Sequence, residues 1–411
     1  TTLRALAEML RDEYYVVLLD FQTFDNEKFS NGNVFSVAFA GSFLRVLRRN
    51  CKTMNNEMVS VIEEMKKDAD YANRYFSLKE LFEGLSDICE AADRKIVLMI
   101  DEVDSAANNQ VFIDFLAQLR AQYLDREFYP GFQSVILAGV YDIKNLKRKL
   151  RPEEGHRYNS PWNIAADFSI EMSFSESEIA GMLQEYESDH RTGMNISKMS
   201  ELLYAYTAGY PFLVSRICQL MDERVRDEYE NLKLVWTENG FNEAVRILLA
   251  EKNPLFESLV GKICDYPELS VMLKTLLFTG RNIAYNPDET SIDMAQMFGF
   301  IKNQNGNVVI ANRIFEMRLY NYYLTEAKMQ QTEIYKAALQ DKSQFIVNGY
   351  LDMERILECF VVHFQDIYGE SDEKFLEEQG RKFFLLYLKP IINGTGNYYI
   401  ESRTRDLRRT D

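Results

Sequence analysis

Ile96-Val97-Leu98-Met99-Ile100-Asp101-Glu102-Val103-Asp104 sets five consecutive apolar residues directly before three acids. An unbroken apolar run reads as a strand buried on both faces of a parallel sheet, because a strand with one wet face alternates instead. Ligands in open α/β sheets bind outside the carboxyl ends of the strands, so the acids stand at the chemically useful edge. Asp101, first after the strand, suits a magnesium ligand acting through a water. Glu102 suits a group that orients and activates a water against a γ-phosphate. A solvated strand end is the plainer account of such acids, but a buried strand directly before them favours the chemical one.

Working outward, residues 15–21 form another apolar stretch, interrupted by Asp20, and suit a second buried strand. Before it, Leu3, Leu6, Ala7, Met9 and Leu10 recur at helical spacing from the first residues onward, with no capping residue. Helix followed by buried strand implies a preceding strand and a glycine-rich loop with Lys-Ser/Thr, the element that cradles phosphates at a helix N-terminus. Downstream, residues 134–140 read as a third strand, followed by Tyr141-Asp142 and the basic residues Lys144, Lys147, Arg148, Lys149 and Arg151. Asp142 and Arg148 are equal candidates for sensing the γ-phosphate, and a basic helix face explains the charges as well. Residues 167–174 alternate like a fourth strand. Ser175 with Glu178 then has the spacing of a capping box that opens a helix.

The 411 residues exceed the size at which one hydrophobic core stops growing, so about two to four domains are expected. With 46% hydrophobic and 27% charged residues, and no apolar run near the roughly 20 residues of a spanning helix, the chain reads as globular, without a membrane segment. The five cysteines (51, 89, 218, 264 and 359) show neither metal-type pairs nor disulfide density, which points to a reducing, cytoplasmic setting. Three scattered histidines argue against zinc chemistry. A net charge of −16 opposes broad coating of nucleic acid, although Arg403, Arg405, Arg408 and Arg409 make a local basic cluster.

The DEVD segment 96–104, the strand end Ala138-Gly139-Val140-Tyr141-Asp142, Ser160-Pro161-Trp162-Asn163-Ile164-Ala165 and Gly209-Tyr210-Pro211 together resemble bacterial AAA-like ATPases. The likeness is close to the archaeal-type and signal-transducing (STAND) classes and covers residues 1 to about 325. It implies an α/β fold with a P-loop NTPase-type parallel sheet, a helical lid and a winged helix. ATP and Mg²⁺ are the implied cofactors. By the same resemblance Thr1 or Thr2 ends the phosphate-binding loop, and Gly209 and Pro211 belong to a lid that closes over the nucleotide. A simple turn between helices explains Gly209 and Pro211 equally well. Without the lysine and amides of that loop, the sequence as written is expected to bind nucleotide poorly.

Between residues 254 and 324 the order is helix, helix, then two short β-type runs around Gln304-Asn305-Gly306-Asn307, a strong hairpin signal. This suggests a winged helix, which by the resemblance to AAA-like ATPases is expected to pack on the nucleotide domain, and the net negative charge argues against its reading DNA. The last segment, with Glu377-Glu378-Gln379-Gly380-Arg381, the apolar run 383–388, Gly394-Thr395-Gly396, Tyr398-Tyr399-Ile400-Glu401 and Arg408-Arg409-Thr410-Asp411, resembles part of an α+β nuclease-like domain of PD-(D/E)XK type. That resemblance implies Glu378 and Asp411 as magnesium ligands. The acid-x-Lys element is absent from the sequence as written, so nuclease activity is not expected of it. The implied domains are 1–174 (nucleotide-binding core), 175–252 (lid), 253–326 (winged helix) and 327–411 (partial nuclease-like domain).

Two functions follow from this reading. One is an ATPase switch, hydrolysing ATP with Mg²⁺ and coupled to the nuclease-like domain. The other is a nucleotide-held protein-interaction scaffold that does not hydrolyse and whose nuclease domain is degenerate. The acid at Glu102 favours the first, since a structural site has no use for a water-activating base. DNA at the C-terminal domain, a second copy and a protein partner all stay open as partners.

Overall fold

The computed structural model describes residues 2–50, 54–106, 109–139, 171–226, 232–278, 282–341, 345–347, 350–369 and 373–392. The chain divides into two compact units, Thr1–Phe168 and Ser169–Asp411.

In the first unit, β1 (Tyr15–Asp20), β2 (Ile96–Asp101) and β3 (Ser134–Leu137) form a parallel sheet in the order β1-β2-β3. The central place of β2 explains its composition: Ile96 through Ile100 are all buried, as a strand covered on both faces must be. On one face lies α1 (Thr2–Leu10), whose Leu3, Leu6, Ala7 and Leu10 pack with Val16, Val97 and Met99. The opposite face carries α2 (Gly32–Asn50), α3 (Asn56–Asp68), α4 (Leu78–Ala91) and α5 (Gln110–Leu124) over a phenylalanine-rich core. There Phe35 and Phe39 both pack against Phe115, with ring centroids 5.2 and 4.9 Å away. Burying each such ring contributes roughly 2 kcal/mol or more. Local chemistry starts the helices: Asn55 caps α3, and Ser77 with Glu80 forms a reciprocal capping box on α4.

The second unit is mainly helical. It begins with α6 (Glu176–His190), opened by the Ser175–Glu178 capping box that the sequence predicts, then α7 (Ile196–Thr207), α8 (Pro211–Leu220) and α9 (Glu238–Ala250). Of the expected fourth strand, residues 167–170 lie outside the described residues, and 171–174 form no strand. Next come α10 (Pro254–Asp265), α11 (Pro267–Phe278), α12 (Thr290–Met297) and a hairpin of β4 (Ile301–Gln304) and β5 (Asn307–Ile310). Its two turn residues, Asn305 (φ 53°) and Gly306 (φ 79°), are both left-handed, the combination a two-residue type I′ turn requires.

After α13 (Arg313–Leu324) come α14 (Glu333–Asp341), the short pair β6 (Ile346–Val347) and β7 (Tyr350–Leu351), α15 (Met353–Tyr368) and α16 (Glu373–Ile392). The apolar run 383–388 lies in α16, and Pro390 falls inside that helix. One hydrophobic core runs from Ile179 to Ile392, so the sequence-based limits at 252/253 and 326/327 fall within a shared core. Leu386 and Tyr387 of α16 are fully buried in it, and the Lys389 ammonium donates to Asn321 Oδ1 on α13.

Candidate functional site

The site grows out of the end of β2. In a regular parallel ladder the backbone of β3 would bond Ile100 O and Glu102 N in succession. Ala138 N does donate to Ile100 O (2.9 Å), but Ala138 O accepts from Val103 N (3.1 Å). Glu102 is thus an extra residue, bulged out of the ladder, the device by which sheets re-aim a side chain beside active sites. Its backbone lies in the left-handed region (φ 55°), which costs an ordinary L-residue about 1–2 kcal/mol. The N–H freed from the ladder donates to Asp101 Oδ1 (3.0 Å). The Glu102 carbonyl accepts from Ser105 N (3.1 Å) and from Ser105 Oγ (2.8 Å), at the start of a single 3₁₀ turn, Val103–Ala106. Val103 and Ala106 are buried, while Glu102 is exposed. The turn is therefore anchored on both sides of a carboxylate that faces water.

At the same edge stands Asp20, in register with Asp101 at the end of β1. One of its carboxylate oxygens accepts from Gln22 N (2.9 Å), and its carbonyl accepts from Thr23 Oγ1 (2.7 Å). Sequence reasoning placed Asp20 only as a strand end. Its position directly after a buried run, the same as that of Asp101, was the available signal. Thr2 is the first residue of α1. Only residues 11–14 link α1 to β1, and the helix packs along the sheet, so α1 runs antiparallel to the strands with Thr2 toward their carboxyl ends. Thr1, Asp142 and Arg148 lie outside the described residues.

Gly209 and Pro211 belong to the second unit. Ala208 (φ 49°) and Gly209 (φ 74°) are both left-handed, and Gly209 O accepts from Phe174 N (2.8 Å). A Cβ on Gly209 would stand 1.8 Å from Phe174 O, so no side chain fits. Pro211 opens α8 at a position where its missing N–H is harmless. Between them Tyr210 packs edge-on against Phe315 of α13 (5.6 Å), and burial pushes its phenol above the ordinary value. These contacts account for Gly209 and Pro211 as parts of a helix junction. Glu378 lies on α16, and Asp411 lies outside the described residues.

Among the described residues, no group of three or more His, Cys, Asp or Glu side chains is placed to hold a metal ion. Magnesium does not require such a cage, since it commonly takes one or two carboxylates with phosphates and waters. Asp101 fits that lesser demand, because the Glu102 N–H engages only one of its two oxygens.

Residues 2–326 match the AAA-like domain family. This chain belongs to that family. An AAA-like domain is a nucleotide-binding ATPase domain, and the parallel sheet with acids at the carboxyl end of its central strand agrees with one. Among solved structures the chain is similar to a Walker-type ATPase of Pyrococcus abyssi, at 14% identity and a TM-score of 0.42, over 77% of this chain and 93% of that one. No curated protein matches the AAA-like chain. None of its described helices is long and apolar enough to cross a membrane.

Proposed function

We propose that this AAA-like chain is a magnesium-dependent ATPase switch in which Asp101 holds the metal and Glu102 is the base toward the attacking water. The bulge at Glu102 carries this reading. It lifts one carboxylate out of the central strand into solvent, at an energetic cost, directly beside a second carboxylate. Bound Mg²⁺ would supply charge neutralisation at the phosphates. Glu102 would accept the proton of the water, and Asp101 would hold the metal through its free oxygen while fixing the backbone of Glu102. Thr1 or Thr2 at the head of α1 would stand at the phosphates, and Asp142 or Arg148, in the segment after β3, would sense the γ-phosphate. Gly209 and Pro211 would form the lid.

On this reading α10, α11, α12 and the β4–β5 hairpin act as a winged helix that reports nucleotide state. Glu378 and Asp411 would belong to a nuclease-like domain that this state controls, with DNA as its ligand. A second copy or a protein partner would receive the signal in a cytoplasmic setting.

The test is magnesium-dependent ATP turnover by the full-length protein against Glu102→Gln, with nucleotide affinity measured alongside. Loss of about 100-fold or more in turnover with affinity retained is the expected result, the usual scale for removing a general base. Nucleotide binding without turnover in either protein would replace the switch with a nucleotide-held scaffold.

A further inference from the structure

The bulge that presents Glu102 needs support from residues that do not themselves reach the nucleotide. We infer that Gly139 and Ser105 are positioning residues that hold Glu102 in its left-handed, outward geometry. This rests on the reading of Glu102 as the base.

Gly139 follows Ala138, whose carbonyl takes the Val103 N–H that closes the bulge. A Cβ on Gly139 would stand 2.7 Å from Val103 Cγ2 and 2.8 Å from Asp104 Oδ2. Real Cβ contacts essentially never come under 3.0 Å. The Asp104 oxygen is the far end of a flexible side chain, so of the two contacts it is the cheaper to shift. Val103 cannot swing aside, because it is 2% exposed and a β-branched side chain has few rotamers to choose from. Any residue larger than glycine at 139 therefore pushes the 103–104 turn off β3, and Glu102 with it. The close approach of backbone to turn is what glycine supplies here; no unusual backbone angle is involved.

Ser105 acts on the other side of the same peptide. The residue is exposed, so no core packing needs its hydroxyl, which makes the 2.8 Å bond to the Glu102 carbonyl. Without the hydroxyl, the Ser105 N–H alone holds that carbonyl, and the strained residue can relax toward an ordinary backbone conformation. A displacement of about 1 Å in a base can lower turnover up to 100-fold while leaving the substrate bound, because only the reacting geometry is disturbed.

The experiment compares the full-length protein with Gly139→Ala, Ser105→Ala, Ser105→Thr and Gly41→Ala. Gly41 lies in α2 with nothing within 4 Å of an added methyl, so it controls for the glycine-to-alanine change itself. Turnover, nucleotide affinity and thermal unfolding are read for each. Gly139→Ala is expected to lower kcat about tenfold or more, and Ser105→Ala several-fold, with affinity within about twofold of the parent. Ser105→Thr, which keeps the hydroxyl, should restore turnover, and Gly41→Ala should match the parent in turnover and affinity while unfolding slightly later, as an alanine inside a helix does. If Gly139→Ala unfolds, the Ser105 pair decides alone, since it removes and restores a single hydroxyl. Parent-like kcat in Ser105→Ala, in a protein that Glu102→Gln inactivates, overturns the inference and leaves the base assignment intact. Undiminished turnover in Glu102→Gln overturns the assignment of the base itself.

Discussion

Among the described residues, two of the turns that bend a non-glycine residue into the left-handed region do so for different reasons. At Ala208 (φ 49°) the bend is buried in packing. Thr207 is fully buried, its hydroxyl donates to Leu203 O (2.6 Å) and accepts from Gly209 N (3.1 Å), and the neighbouring Gly209 and Tyr210 are tied to Phe174 and Phe315. At Glu102 (φ 55°) the strained residue itself is exposed and gains no core contact. Strain that packing repays is a matter of chain path. Strain that ends in an exposed carboxylate beside another carboxylate points to chemistry. The two turns should therefore fail differently, one in stability and the other in turnover.

The largest effect is expected at the packed turn. Gly209→Ala places a methyl against Phe174 O and forces alanine into a left-handed backbone, so it should destabilise the second unit by about 3 kcal/mol or more. Denaturant titration reads this directly, and parent-like stability would remove the contrast between the turns. Gly306→Ala sharpens the same point from a turn with open space. Nothing stands within 4 Å of its Cβ, so only the backbone penalty of about 1 kcal/mol should appear.

At the chemical turn the sign reverses. Asparagine tolerates the left-handed region better than glutamate, so Glu102→Asn should keep or raise stability, by up to about 1 kcal/mol, while turnover is lost. Marked destabilisation would mean that Glu102 is held for packing after all.

The smallest effect concerns a further left-handed residue, Arg191 (φ 51°), at the end of α6. From within α6 the Glu187 carboxylate accepts from the Thr192 hydroxyl, from Gly193 N (2.8 Å) and from Thr192 N (2.9 Å), just beyond Arg191. These bonds, the Thr192 hydroxyl first, hold its carboxyl below the ordinary range. A carboxylate whose folded pKa is depressed binds fewer protons folded than unfolded, so its contribution is present above the ordinary carboxylate range and is lost as pH falls through the depressed value. Thermal melts from neutral to acid pH should show Glu187→Gln less stable than the parent at pH 7 and the two converging in acid. A gap that persists unchanged at low pH would assign the difference to something other than the charge.

Much of the first unit was legible from the chain because its signals are local. The apolar run directly before the acids suits a strand covered on both sides, and Ile96 to Ile100 are buried as such a strand requires, whereas the apolar run 383–388 is helical. The Ser175–Glu178 box and the Asn305-Gly306 turn are also short-range chemistry, and both form as read. Less visible was the shared core of the second unit. Helical periodicity marks which face of a helix is apolar but not which other face it meets, so the sequence of residues 327–411 does not show that Leu386 and Tyr387 pack in the same core as α13. In the candidate site Asp101 and Glu102 could be named as candidates from the sequence, and their geometry could not.

The sequence by itself determined the parallel character of β2, the acids at its end and the positions where helices start and the hairpin turns. Each depends on residues within a few positions of one another. Only the tertiary structure decided that Glu102 is bulged from the ladder, that Asp20 stands level with Asp101, and that Gly139 must be small. Each of these depends on the register between strands far apart in the chain, and that register follows from how whole faces pack rather than from any local pattern.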